Sequence, residues 1–453
     1  MRYHDFDDLL KNKAAALPDH TALRYGEKCW TYRELYEAVC AKAEEYKASG
    51  RTCLGILADG SADCVISLFG AAKAGLQLVM LDANLPDAAY PMLLSYTDVD
   101  ILQGDPDLCE ELEPHLAGGV KDGAGKVLFF TSGTTSRSKA VELTQYSLCQ
   151  SAWNGGSLLP LSEADTLLCL LPLGHVFGFV CGLMWGLFSG ACVALGRGPR
   201  HYADDCRFYQ PTAVSVVPLL LGFLLKAQAL NPELKLILIG AGECPGPILR
   251  AAKATGARVS FGYGLTETSS GVALSLGDDP YAMTVCPDDT ITLAEDGEIL
   301  IKVPTCVMQG YYKMPDDTAV VLQDGVLSTG DLGRFDENGL LHITGRKKDI
   351  LVLADGTKIY LPEYEQQLSQ ALGRSEIAVM LSNGRPVLVC EAQPADKADL
   401  AASRQAILKV LSPLMKTLPR GQQITAIIFT DQPLPRTATG KIKRYELGSI
   451  TEV

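Results

Sequence analysis

A chain of 453 residues is too long to wrap around one core, so two or three domains are expected. Its formal net charge of −13, with no long Lys/Arg block, argues against nucleic-acid binding. Fourteen cysteines and six histidines are scattered without a C-x-x-C pair or zinc-site spacing, so the cysteines read as small buried hydrophobes in a reducing cytosol.

The first twenty residues, "MRYHDFDDLLKNKAAALPDH", are charged and lack the apolar stretch of a secretory signal, which points to a cytoplasmic protein. Residues 32–50 have helical periodicity and end in glycine. "TCLGILA" (52–58) and "LQLVMLD" (76–82) read as buried strands, with "DCVISLFGAAKAG" (63–75) as the helix between them. This βαβ grammar continues through "KVLFF" (126–130), "AVSVVP" (213–218), "LKLILIG" (234–240) and "ARVSFGYG" (257–264), and predicts a mostly parallel sheet.

Residues 166–196 carry no formal charge and are long enough to span a membrane. Pro172, Gly174 and His175 interrupt them, so they read as a buried strand, a turn and a helix. No transmembrane segment is expected, which leaves only peripheral membrane contact open.

After about residue 285, Asp-Gly and Asn-Gly turns in "DGEILIKV" (296–303) and "FDENGLLHIT" (335–344) predict a small β-rich subdomain. From residue 346 a basic joint, a helix and three apolar runs at 376–382, 386–392 and 426–431 suggest a separate C-terminal domain. The expected architecture is α/β. A large N-terminal domain (1–345) has parallel α/β layers and a β-rich part from about 285. A small mobile α+β domain occupies 346–453.

"FFTSGTTSRSK" (129–139) follows a strand and holds six hydroxyl side chains, a glycine and a terminal lysine. It is not a Walker A loop, but its N–H groups, hydroxyls and charge suit phosphate oxygens. A solvated turn is the bland alternative. "FGYGLTETSSG" (261–271) offers Tyr263 for a base, Thr266 for a phosphate and Glu267 for Mg²⁺. "LSTGDLGRF" (327–335) places Asp331 in a tight turn, where a carboxylate can bond ribose hydroxyls. "LPRTATGKIKR" (434–444) presents Lys441 on a glycine-containing turn.

Together these stretches resemble the adenylate-forming superfamily of acyl-CoA synthetases, luciferase-like ligases and adenylation domains. "WTYREL" (30–35), "GAAKAGLQLVMLDANLP" (70–86), "TSGTTSRSKAVELT" (131–144), "LPLGHVFG" (171–178), "YGLTE" (263–267), "TGD" (329–331), "GRKKD" (345–349) and "RTATGKIKR" (436–444) follow the family's motif order. The resemblance runs from Thr31 to Arg444, nearly the whole chain.

The resemblance implies roles for named residues. Thr131, Ser132, Gly133, Thr134, Thr135 and Lys139 would cradle the ATP phosphates. Gly240, Ala241, Gly242 and Glu243, with Tyr263 and Gly264, would line the adenine site. Thr266 would meet the α-phosphate and Glu267 the Mg²⁺. Asp331 and Arg346 would hold the ribose. His175 would stand at the entrance to the acid pocket, and Lys441 would bridge carboxylate and phosphates. Lys348 falls where the family's hinge lies.

The implied reaction joins a carboxylic acid to the α-phosphorus of ATP and then passes the acyl group to a thiol. Mg²⁺ and lysines offset the repulsion between anions. The resemblance implies a C-terminal domain that swings to admit the thiol. Coenzyme A is the default acceptor, and an acyl carrier protein presents the same thiol.

Ser136, Ser138 and Ala140 stand where the family commonly has Gly, Pro and Gly, which leaves a weakened enzyme or an ATP-binding protein without turnover open. The stretch "GRKKDILVLADGTKI" (345–359) looks closer to long-chain fatty acyl-CoA synthetases, and Val352 replaces a common lysine. No charged residue stands beside His175 in sequence, so an apolar acid is expected, a fatty acid first. Another acid, such as o-succinylbenzoate, is the alternative.

Overall fold

The structure, a computed structural model, describes residues 2–131, 138–302, 304–353, 358–382, 384–436, 442–448 and 450. The chain packs as two compact units. The first comprises Met1–Thr131, Lys139–Thr329 and Arg334–His342; the second comprises Ser132–Ser138, Gly330–Gly333 and Ile343–Val453.

In the first unit, strands Cys53–Ala58 and Gln77–Asp82 pair in parallel, Cys53 opposite Gln77 and Ala58 opposite Asp82. The crossover helix Ala62–Ala74 starts on the Ser61 side chain, which accepts from the Cys64 N–H, and stops at Gly75 in the left-handed region. Strand Lys126–Phe130 extends this sheet in parallel, and Ala140–Thr144 extends it antiparallel. The short strand Gly310–Tyr311 adds to the outer edge of Ala140–Thr144.

A second, larger sheet has a parallel run of six strands in the order Arg258–Leu265, Leu236–Ile239, Ala213–Val216, Thr166–Cys169, Cys192–Leu195 and Thr21–Tyr25. Three of its central strands, Leu236–Ile239, Ala213–Val216 and Cys192–Leu195, are buried at every residue. That is why they read as continuous apolar runs rather than alternating ones. The sheet turns antiparallel at Ser270–Ser275 and Met283–Val285. Further on, the hairpin Thr290–Leu293 to Glu298–Lys302 turns through Gly297 at φ 87°.

The uncharged run resolves into strand Thr166–Cys169, a turn, helical backbone from Val176 to Ser189, and strand Cys192–Leu195. Its middle, Phe179–Met184, is π-helical. Among the described residues, no helix is long and apolar enough to cross a membrane.

The second unit has the hairpin Ile350–Val352 with Lys358–Tyr360 and a three-stranded sheet of Ile377–Ser382, Arg385–Glu391 and Ile427–Thr430. Helices Leu361–Leu372 and Leu400–Met415 contribute Leu361, Leu368 and Leu411 to a core shared with Val379, Leu388 and Phe429. The architecture is the α/β one expected.

Candidate active site

Thr131 and Lys139 close the base of the hydroxyl-rich connection. The Thr131 N–H donates to the Lys139 carbonyl at 3.0 Å, and the Lys139 N–H donates to Thr131 Oγ1 at 3.2 Å. Ser132, Gly133, Thr134, Thr135 and Ser136 lie outside the described residues. Lys139 Nζ sits 2.5 Å from Asp317 Oδ1 and 4.4 Å from the centroid of the Tyr311 ring.

Tyr311 also donates from Oη to Glu267 Oε1 at 2.8 Å. It reaches this position because strand Gly310–Tyr311 pairs with Val141 and Glu142, just beyond the lysine. Burial first, then the Glu267 carboxylate, pushes the Tyr311 phenol well above its ordinary range, so it stays a donor. One ring thereby brings the loop lysine and the motif glutamate together.

Glu267 and Thr266 lie in a single 3-10 turn, Thr266–Thr268, at the end of strand Arg258–Leu265. The Thr268 hydroxyl accepts from the Leu265 N–H at 2.9 Å and donates to the Ser270 carbonyl at 2.8 Å. The chain leaves through Ser269 at φ 55° and Ser270 at φ 111°, two consecutive strained non-glycine residues. A Cβ on Gly264 would lie 1.8 Å from the Ser270 carbonyl oxygen, so only glycine fits there. Tyr263, whose ring was expected to meet a base, is buried, with 8% of its surface exposed.

Gly240 to Glu243 leave the carboxyl end of strand Leu236–Ile239, the edge at which open α/β sheets bind ligands. Ala241 adopts φ 65°, and a Cβ on Gly240 would fall 2.6 Å from the Phe177 ring. Ala241, Gly242 and Glu243 are exposed.

His175 Nε2 lies 3.1 Å from Asp82 Oδ2, at the carboxyl end of strand Gln77–Asp82. Gly174 permits this approach, because a Cβ there would meet the Asp82 backbone at 2.7 Å. Burial works to raise the Asp82 carboxyl, but hydrogen bonds from His175 and Asn84 outweigh it and hold the group below its ordinary value.

Behind the fourth motif lies a cavity. Its wall includes Val180, Cys181 and Trp185 from the π-helical region, and Gly271 and Leu274 from the strand after the Thr266–Glu267 turn. Leu238 adds a side, and Ser151, Ala152, Gly155 and Leu159 close it from helix Gln145–Leu158 and its end. Among the described residues, no charged one lines it. Burial pushes the Cys181 thiol up to about 11, so it is neutral, and its sulfur is 3.5 Å from Ser270 Oγ.

In the second unit, Arg346 Nε pairs with Asp331 Oδ1 at 2.7 Å. Asp331 does not sit in a tight turn as the sequence suggested. It is buried within the ten-residue strand Val326–Phe335, which tolerates Gly330 at φ 71°. Lys348 is exposed in the 3-10 turn Lys347–Asp349. Lys441 lies outside the described residues. Three residues further along the sequence, Arg444 clamps Glu365 through two hydrogen bonds of 2.8 Å each and reaches Asp349 at 3.1 Å.

Sequence reasoning did not single out Tyr311, Asp317, Asp82 or Phe177 as site residues. Only Asp82 carried a usable signal, as the last residue of a parallel strand.

The chain belongs to the AMP-binding enzyme family, whose model matches residues 10–126 and 120–312, and with it to the adenylate-forming enzymes. Among curated proteins it is similar to a 2-succinylbenzoate–CoA ligase of Bacillus velezensis, 27% identical over 97% of both chains. It is 27% identical to an indoleacetate–CoA ligase of Aromatoleum aromaticum over 98% of both. It is 30% identical to an oxalate–CoA ligase of Arabidopsis thaliana over 82% of this chain and 75% of that one. Its fold matches an o-succinylbenzoate coenzyme A synthetase from Bacillus subtilis in complex with AMP, with a TM-score of 0.81, 23% identity and 98% of each chain covered. Acid–thiol ligase is the enzyme class that the family and these relatives support.

Proposed function

We propose that the chain activates an apolar monocarboxylic acid with ATP, releasing pyrophosphate, and transfers the acyl group from the adenylate to coenzyme A, releasing AMP. The observation that carries this reading is the Tyr311 ring, which joins the Glu267 carboxylate to the Lys139 cation; the apolar acid follows the uncharged residues Val180, Cys181, Trp185, Gly271 and Leu274 that gather beyond the Thr266–Glu267 turn. The relatives favour a ring acid or another small acid over the fatty acid first expected. None of the three curated relatives named above is named for a fatty acid.

The residues present fit Mg²⁺. A half-buried carboxylate held by Tyr311, whose ring also carries Lys139, suits an ion that takes its other ligands from phosphates and water. Glu267 would hold it, and it would neutralise phosphate charge when bound. Tyr311 orients Glu267, and Lys139 would leave Asp317 for the phosphates. Thr131 and Thr266 would add hydroxyl donors. Gly240 to Glu243 would receive the adenine, and Asp331 with Arg346 would bind the ribose. His175, oriented by Asp82, would stand at the acid's entrance. The roles of Ser132, Gly133, Thr134, Thr135 and Lys441 rest on the motif resemblance.

A second reading, a 2-succinylbenzoate-type acid, is favoured by the Bacillus velezensis ligase named above. Against it, the described residues of that wall include no cation for a second carboxylate, and an unpaired buried charge is costly. The test is ATP- and Mg²⁺-dependent pyrophosphate release over aryl, short acyl, fatty and dicarboxylic acids, with and without coenzyme A. Release with ring acids and sustained turnover with coenzyme A support the first reading. Release only with 2-succinylbenzoate supports the second. Turnover with neither, despite ATP binding, would mark the Ser136, Ser138 and Ala140 replacements as a loss of catalysis.

A further inference from the structure

Lys139 Nζ and Asp317 Oδ1 meet at 2.5 Å although 178 positions separate them in the chain. One short stretch sets up this pairing. Strand Gly310–Tyr311 lays the Tyr311 ring 4.4 Å from Lys139 Nζ, and helix Pro315–Val321 comes next. Thr318 ties the two together: its hydroxyl accepts from the Tyr311 N–H at 2.9 Å and donates to the Met314 carbonyl at 2.8 Å. Asp317 is the neighbour of Thr318, so ring and carboxylate arrive at the ammonium group as one unit.

An acidic residue in the first turn of a helix has a bland reading, since it favours the helix dipole from the solvent side. Asp316 fits that reading: it is exposed and makes no ion pair among the described residues. Asp317 stands on the same turn, yet its carboxylate is turned onto a lysine whose side chain is only 23% exposed. An ammonium group has three N–H donors. Asp317 accepts one of them, and the Tyr311 ring face attracts the charge from another side. A phosphate oxygen brought to Lys139 therefore meets a carboxylate already bonded to it. Two anions at one ammonium repel, so each weakens the other's hold.

We propose that Asp317 is a positioning residue that competes with ATP for Lys139. Its carboxylate gives up the ammonium group when the phosphates bind and takes it back when pyrophosphate leaves. The competition holds down the affinity for the outer phosphates and so speeds the release of pyrophosphate. This rests on the ligase reading above, in which Lys139 meets those phosphates.

The experiment needs no acid substrate. Titration calorimetry in the presence of Mg²⁺ gives Kd for ATP, pyrophosphate and AMP with the wild type, Asp317→Asn, Asp316→Asn, Lys139→Met and the Lys139→Met, Asp317→Asn double variant. Asp317→Asn should bind ATP and pyrophosphate about 3- to 10-fold more tightly, the scale of one partly exposed ion pair. AMP lacks the outer phosphates and should bind it as it binds the wild type. Asp316→Asn removes the same charge from the same turn and should move each Kd by less than about twofold. With Lys139→Met in place, Asp317→Asn should no longer tighten ATP, because the group competed for is gone. Should Asp317→Asn unfold, Asp317→Ser carries the same test.

Unchanged or weaker binding of ATP and pyrophosphate by Asp317→Asn overturns this inference alone. So does an equal gain for AMP, in Asp316→Asn, or in the Lys139→Met background, each of which traces to the general field and not to this pair. No binding of ATP, pyrophosphate or AMP by the folded wild type overturns the ligase reading and this inference with it.

Discussion

Tyr311 Oη donates to Glu267 Oε1 at 2.8 Å, and the same ring lies 4.4 Å below the ammonium group of Lys139. A tyrosine outside every motif first quoted from the sequence thus fixes the geometry between two motifs. The arrangement has a simple logic. A lone carboxylate can rotate, and a hydrogen bond from a buried phenol holds one oxygen so that the other faces outward.

Tyr311→Phe keeps the ring under Lys139 and removes only the hydrogen bond. The expected result is about a tenfold loss in kcat/KM with a raised Mg²⁺ requirement, because Glu267 is no longer held. Pyrophosphate release measured across a Mg²⁺ titration checks this. An unchanged Mg²⁺ dependence would assign Tyr311 to packing alone.

Gly264→Ala places a Cβ 1.8 Å from the Ser270 carbonyl oxygen. That oxygen belongs to a backbone already strained at Ser269 and Ser270, so it cannot shift cheaply. The substitution should cost about 3 kcal/mol of stability and disable adenylation. Chemical denaturation and pyrophosphate release measure the two effects separately.

Asp289 is buried beside Asp288, with Asn154 donating to it at 3.2 Å. Burial, reinforced by Asp288, pushes its carboxyl up to about 8. An unfolded aspartate titrates near about 4, so between those values the folded chain holds more protons. The stabilisation is complete below about pH 4 and is lost as the pH rises through about 8. The melting temperature should therefore fall over this window, and Asp289→Asn should flatten the fall and melt higher at pH 8. The same slope in the variant would falsify the assignment.

Arg444 joins Asp349 of one motif to Glu365 of the following helix, inside the second unit. Arg444→Ala leaves two carboxylates facing each other without their cation, at a cost of about 3 kcal/mol. Arg444→Lys should recover little of it, since an ammonium group cannot match the two-pronged contact with Glu365. Urea denaturation of the three proteins tests the ranking.

Lys441→Ala should slow adenylation by about 10²- to 10³-fold, the usual scale for losing a donor to transition-state charge. Thioester formation from supplied acyl-adenylate should persist. Equal loss in both half-reactions would remove Lys441 from its assigned step.

The sequence by itself determined the elements and their order. Strands Cys53–Ala58, Gln77–Asp82 and Leu236–Ile239 were legible because they are buried on both faces and therefore continuously apolar. The helices before and after Cys53–Ala58 announced their ends through Gly50 and Gly75, which adopt the left-handed conformation that glycine takes without strain. Motif order likewise identified the family, because Lys139, Glu267, Asp331 and Lys441 stand in short stretches with their own local chemistry. What only the tertiary structure decided is which distant residues meet. Asp82 finds His175 because two loops converge at one strand end, and Tyr311 finds Glu267 because a two-residue strand adds to a sheet edge. Asp331 looked like a turn residue because Gly330 precedes it, yet sheet pairing keeps it extended and Arg346 pairs its carboxylate. Periodicity is a local property, whereas pairing across the fold depends on loop paths that no window of sequence contains.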